Sequence, residues 1–222
     1  MLALDTSTSV GSVALVRDGE VLVESTLNVR ATHSETVLPE IDRMMLEIGA
    51  SPADLAAVVV GSGPGSFTGV RIAASLAKGI CFARGAELFA YSSLAAVAAG
   101  TGAEGPICAL FDARRGQVYA GGYRMSGVIE ELFAPMAAPL EEVLELTSPG
   151  HEWTFVGDGA DPGAEIIQGV GGRVLDRDVW YPRASSLARL ARLSPEWGRV
   201  VDPRRWEPRY VRLPAAQRDL GD

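Results

Sequence analysis

The chain has 222 residues, a formal net charge of −8, 47% apolar residues and 22% charged ones. That is enough for one large domain or two lobes of about 100 residues each, and too apolar for a disordered chain. The acidity argues against a stand-alone nucleic-acid binder, which has phosphates to neutralise, and no apolar run approaches the roughly 18 residues that cross a bilayer.

Met1-Leu2-Ala3-Leu4-Asp5 lacks the basic lead of a signal peptide. The only cysteines, Cys81 and Cys108, sit far apart in apolar stretches, so a reduced, cytoplasmic protein without membrane contact is expected. Residues 2–7 read as a buried strand ending in Asp5-Thr6-Ser7. Residues 11–17 and 20–27 alternate as two further strands, joined by the hairpin signal Asp18-Gly19. Thr32-His33-Ser34-Glu35 fits a capping box, with Thr32 as N-cap and Glu35 reaching back. The helix it opens runs to about Ile48, stops at Gly49 and should bend near Pro39. Val37, Ile41, Met44 and Ile48 form one apolar stripe, and Leu38 and Met45 widen it to a second face, which suggests a partner.

Residues 56–61 are β-branched and read as a buried parallel strand. They lead into the glycine-rich segment 61–69 and a helix over 68–83, in which Gly69, Ala73 and Ala77 lie four apart beside Ala74, Ser75 and Gly79. Small residues of this kind allow close packing. Residues 87–91 form a strand, and Ser92 or Ser93 caps a short helix to Ala99.

Residues 100–105 read as a linker, which divides the chain into lobes 1–103 and 104–222. After the linker the pattern restarts. Ile107-Cys108-Ala109-Leu110-Phe111-Asp112 echoes Leu2-Ala3-Leu4-Asp5, and a turn at Arg115-Gly116 and strands over 117–123 and 128–133 follow. This echo implies a duplicated β-β-β-α unit. Helices are expected over 139–146, 162–168 and 185–193, and strands over 153–156 and 173–175. The Pro- and Arg-rich end from Pro203 should wrap over the surface. Residues 128–178 hold eleven acids and two arginines, whereas residues 183–218 hold nine arginines and three acids. Either this solvates two surfaces of one lobe, or the basic end meets a partner or RNA.

The glycine-rich segment could present backbone N–H groups to an anion or serve as a tight packing turn. It fits neither common nucleotide template: no lysine completes a P-loop, and Ser66 stands where a dinucleotide fingerprint needs glycine. Asp5, Thr6 and Ser7 could bind a metal or phosphate, or cap the turn. Asp5 and Asp112 would face each other across a cleft if the lobes are duplicates. The two histidines, His33 and His151, are far apart, so no His-x-x-x-His pair exists and no metal site is expected.

Leu4-Asp5-Thr6-Ser7, His33-Ser34-Glu35 with Leu38-Pro39, and Gly63-Pro64-Gly65-Ser66-Phe67-Thr68-Gly69-Val70-Arg71-Ile72 resemble the bacterial TsaB family. So do Asp112-Ala113-Arg114-Arg115-Gly116-Gln117-Val118-Tyr119, Tyr181-Pro182-Arg183-Ala184 and Glu207-Pro208-Arg209-Tyr210-Val211-Arg212. The resemblance implies an α/β chain of the actin/sugar-kinase/heat-shock ATPase fold, with two RNase-H-like lobes of mixed sheet. It implies a non-catalytic subunit for threonylcarbamoylation of adenosine 37 in tRNAs reading ANN codons. In that family the paralogue TsaD carries the histidine pair and transfers the group, TsaC makes the adenylate, and the ATPase TsaE joins the pair. Members lacking their partner self-associate, so a homodimer is expected of the chain alone, with tRNA met through the complex. The family's interface falls here on Val37, Leu38, Ile41 and Met45, and on Gly69, Val70, Ala73, Ala74 and Ala77. The Asp5, Thr6, Ser7 and Asp112 cleft is then vestigial, with no cofactor beyond weak ATP or ADP binding. A kinase or ATPase of the same fold, and an RNA-binding module built on the tail, are the alternatives.

Overall fold

The computed structural model describes residues 1–28, 33–147 and 152–212. The expected Thr32 cap and His151 lie outside the described residues. Alternating side chains build the first hairpin, β1 (Leu2–Asp5), β2 (Val10–Arg17) and β3 (Glu20–Asn28). Asp18 and Gly19 both take positive φ, at 52° and 84°, as a tight two-residue turn demands. The helix α1 (His33–Glu47) and strand β4 (Ala57–Gly61) follow, then α2 (Phe67–Arg84), β5 (Glu87–Tyr91) and α3 (Ser93–Gly100). The second half repeats this order: β6 (Pro106–Asp112), β7 (Val118–Met125), β8 (Ile129–Ala138), α4 (Leu140–Leu146), β9 (Thr154–Val156), α5 (Ala164–Gly169), β10 (Arg173–Val174) and α6 (Ala184–Leu193).

The two sheets confirm the duplication. The first runs β5-β4-β1-β2-β3 and the second β10-β9-β6-β7-β8. In each, the first three strands are antiparallel and the fourth and fifth join in parallel. Strand alternation sorts the apolar residues onto two faces. Leu2, Leu4, Val58 and Val60 face α1 and α2, whereas Ala3, Ala57 and Val59 face the centre of the molecule. Likewise Cys108 and Leu110 face α4 and α5, while Ile107, Ala109 and Phe111 face inward.

Helices α3 and α6 fill the centre, and each crosses to the other half's sheet. α3 packs on β6 and β7, and α6 packs on β1, β2 and β4. Residues 93–99 of α3 are buried all round, which explains a composition of alanine, leucine and valine with one serine. A Cβ on Gly100 would lie 2.9 Å from Ser186 Oγ, so the two helices meet at van der Waals limits there. After α6, a short helix α7 (Pro195–Gly198) and strand β11 (Arg199–Val200) return to the first sheet, where β11 pairs with β5. Residues beyond 184 therefore pack on the first sheet, and a linear boundary at 103/104 divides the sheets but not these closing elements.

A polar knot fixes α6 to the first hairpin. Arg183 Nη2 lies 2.5 Å from Glu24 Oε2, Ser185 N donates to Glu24 Oε1 (2.9 Å), and Ala184 N donates to Ser12 Oγ (2.9 Å). Glu24 and Ser12 thus satisfy the open N–H groups at the helix start. Burial pulls the Glu24 carboxyl up, but hydrogen bonds from Ser185 and Arg183 outweigh it and hold the carboxyl below its usual range. A lowered folded pKa contributes stability that is present above the ordinary glutamate value and lost as pH falls through the folded one. Glu24→Gln is expected to cost about 1–3 kcal/mol at neutral pH. It should also lose less stability on acidification than the parent, as read by urea denaturation at about pH 7 and about pH 4.

Candidate interlobe cleft and outer helices

In open α/β folds ligands sit beyond the C-terminal ends of the parallel strands, here β1, β4, β6 and β9. On the first-lobe side that position is closed. Asp5 has no exposed surface. Its Oδ1 accepts from Ser7 N and its Oδ2 from Ser93 Oγ, each at 2.7 Å. Burial raises the Asp5 carboxyl above the ordinary carboxylate range, against the pull of hydrogen bonds from Ser7 and Ser93. Gly61 stands where any Cβ would collide with Asp5 Oδ2.

The glycine-rich segment is the lid on this carboxylate. Gly63 N donates to Ser93 Oγ (3.2 Å), and Gly63 O accepts from Ser93 N (2.8 Å). Ser66 N donates to Ser7 O (2.6 Å), while Thr6 Oγ1 donates to Gly69 O (2.7 Å). Ser66 caps α2 through its Oγ, which accepts from Gly69 N. Gly65 has φ 155°, and a Cβ there would strike Ser7 O. The amides of Ser62, Gly63, Ser66 and Gly69 are therefore spent on Tyr91, Ser93, Ser7 and the Ser66 cap. These bonds and the close approaches at Gly61 and Gly65 are those a packing turn makes.

Asp112 differs from Asp5 in its surroundings. It is exposed, its Oδ1 accepts from Arg114 N (2.7 Å), and its own N–H donates to Asp158 Oδ1 (3.1 Å). Asp158, which no motif in the sequence singled out, follows β9 after Gly157. Burial, and then the neighbouring Asp112 charge, push its carboxyl up. Its signal was Gly157-Asp158-Gly159: a Cβ on Gly157 would clash with Leu110 O, and one on Gly159 would crowd Phe111. Among the described residues no three His, Cys, Asp or Glu side chains converge as a metal site.

The nine positions expected to face a partner are mostly interior. Val37, Ile41, Met45, Ala73 and Ala77 belong to the core under the first sheet. Gly69, Val70 and Ala74 are buried as well, and only Leu38, 44% exposed, lies at the surface. At about 100° per residue Leu46 falls opposite the α1 stripe, and it is 80% exposed. The α2 flank is covered by the chain's own end. Arg204 stacks over Phe82, Lys78 Nζ donates to Trp206 O (2.7 Å), and Tyr210 packs on Phe67 with ring centroids 5.1 Å apart. Residues 204–212 thus run the length of α2 as a strap, and Arg212 Nη1 then donates to Ala113 O (2.7 Å) in the second half. The expected surface-wrapping tail is observed as far as it is described.

A separate cavity of about 820 Å³ lies at the opposite end of the first sheet, by the 18–19 turn, lined in part by Arg17, Arg189 and Arg192.

A family model described as TsaD, tRNA N6-adenosine threonylcarbamoyltransferase, matches residues 21–188. The Bacillus subtilis tRNA threonylcarbamoyladenosine biosynthesis protein TsaB is 33% identical over 98% of this chain and 96% of its own length. The Escherichia coli protein of the same name is 31% identical over 99% and 97%. A Pseudomonas aeruginosa crystal structure, described as an uncharacterized protein with similarity to peptidase YEAZ, superposes with a TM-score of 0.84 at 31% identity, covering 95% of this chain and 98% of that one. The duplicated sheets make the fold α/β and actin-like, with two RNase-H-like lobes.

Gly65→Ala is expected to cost about 1–3 kcal/mol, the range for overpacking a filled site. Gly79→Ala, in the helical part of α2 with open space around it, should be neutral or stabilising by up to about 1 kcal/mol. Thermal melts of the two variants side by side check both.

Proposed function

The chain belongs to the TsaB family, and from that membership we propose that it serves tRNA threonylcarbamoyladenosine biosynthesis as a non-catalytic subunit, paired with a TsaD-type transferase. The observation that carries this reading is the enclosure of Asp5. The first lobe's strand end holds a fully buried carboxylate whose two oxygens accept from Ser7 N and Ser93 Oγ, with the Gly61 backbone packed against it. Two histidines far apart in sequence supply no pair of the kind the transferring paralogue carries. The modified base is adenosine 37 of tRNAs reading ANN codons, the ATPase TsaE joins the pair, and the work is cytoplasmic, where the tRNA substrate is.

The pairing surface lies on α1 and α2. Leu38 and Leu46 form its exposed apolar part, and Val37, Ile41, Met45, Gly69, Val70, Ala73, Ala74 and Ala77 hold the two helices from beneath. The same surface pairs two copies when the chain is alone. Mixing the chain with TsaD, TsaE, tRNA, threonylcarbamoyl-adenylate and ATP tests the role: activity should require TsaD and be raised by the chain, and activity without TsaD contradicts the reading. A nucleotide-binding enzyme is the second reading, favoured by the open Asp112–Asp158 pair. Tight Mg-ATP binding lost in Asp112→Asn would establish it.

Leu38→Asp and Leu46→Asp are expected to abolish co-purification with TsaD and leave the melting temperature unchanged, because both side chains are exposed. Ala74→Glu should instead destabilise the chain, because it places an unpaired charge in a closed site.

A further inference from the structure

The chain is acidic, yet along one rim of its surface the strap, α2 and the 113–117 turn gather arginines from three segments. Arg114 and Arg115 come from the turn between β6 and β7, Arg71 from the first turns of α2, and Arg209 and Arg212 from the strap. The Arg212–Ala113 hydrogen bond joins strap to turn. Arg209 O lies 3.6 Å from the position a Cβ on Gly63 would take, and Arg71 stacks 5.2 Å from the Phe67 ring centroid, beside Tyr210. Arg71, Arg114, Arg115 and Arg209 are exposed. Among the described residues none of the five is in an ion pair, whereas Arg43, Arg124, Arg177, Arg183 and Arg199 all are.

The turn itself is costly. Arg114 and Arg115 take φ of 62° and 56°, and Gly116 follows at 73°. The left-handed region costs a residue with a Cβ roughly 1–2 kcal/mol, and glycine would avoid that cost at either position. The conformation is over-determined: Ala113 N donates to Gln117 O, Gln117 N to Arg114 O and Arg114 N to Asp112 Oδ1, with Arg212 on Ala113 O. A rigid turn thus holds two solvent-facing guanidiniums where a stable turn alone would have favoured smaller residues.

We propose that this rim binds the sugar–phosphate backbone of tRNA, with Arg114 and Arg115 as its fixed centre. The proposal rests on the role in tRNA modification argued above and places part of the tRNA contact on this chain. Guanidinium forks suit phosphate, and the interleaved Phe67 and Tyr210 suit an RNA contact better than a purely acidic peptide.

The test titrates an unmodified tRNA transcript into the full chain, alone and with TsaD, by fluorescence anisotropy. Arg114→Gly/Arg115→Gly is the deciding variant, because glycine relieves the turn. The variant should melt higher than the parent and yet bind tRNA about tenfold more weakly. With about four phosphates engaged, parent affinity should fall about a hundredfold between about 50 and 200 mM salt. Arg17→Glu/Arg192→Glu, on the far end of the first sheet, should bind as the parent does. Co-purification of the glycine variant with TsaD should persist, which separates this rim from the pairing surface. Unchanged tRNA affinity in the glycine variant overturns the proposal, as does absence of tRNA binding to the parent in either form. Competition by poly-glutamate equal to that by RNA also overturns it, in favour of an acidic protein partner.

Discussion

A carboxylate with no exposed surface terminates the first strand, and the loops around it are built to satisfy it. A buried carboxylate without partners would cost several kcal/mol, so its oxygens must be paired wherever the chain places them. Ser93 and the Ser7 backbone do this, which requires α3 to begin at Ser93 and the 5–7 turn to curl back on itself. Gly61 leaves the space, Gly63 clasps Ser93, and Gly65 lets the backbone reach Ser7. A glycine-rich segment that could have offered its amides to an anion thereby packs over the carboxylate instead. The second half keeps the corresponding strand end open, where Asp112 and Asp158 meet with solvent in reach.

The central helices add a second constraint. Because α3 packs on the second sheet and α6 on the first, neither half completes its inner face alone. The Glu24–Arg183 knot and β11 tie the end of the chain back to its beginning. Removing the closing elements would expose Ala3, Val59 and Phe89 on the inner face of the first sheet, all of which belong to the central cluster. The strap then covers α2 and leaves α1 as the more open of the two outer helices.

Local signals in the sequence were strong enough to place most strands and helices. Asp18-Gly19 and Gly49 mark a turn and a helix end at positive φ, and alternation separates Leu2 and Leu4 from Ala3. The duplication was legible because Asp5 and Asp112 end strands of like composition. The aspartates' different fates were not legible, since burial depends on Gly61 and Ser93, both distant in sequence. On α1, periodicity gave a wide apolar arc without saying where the core stops. Met45 lies inside it at 4% exposure and Leu38 outside at 44%, an outcome fixed by the sheet beneath. Asp158, the two-residue β11 and the path of the strap rest on long-range contacts that no local pattern announces.

Hydrogen–deuterium exchange of the full chain, followed on addition of Mg-ATP and separately of TsaD, tests the account most directly. The account predicts that TsaD slows exchange along residues 38–47 of α1, and that neither addition changes residues 61–69, which pack over the buried Asp5. Protection of residues 61–69 by Mg-ATP, with α1 unaffected by TsaD, would contradict it.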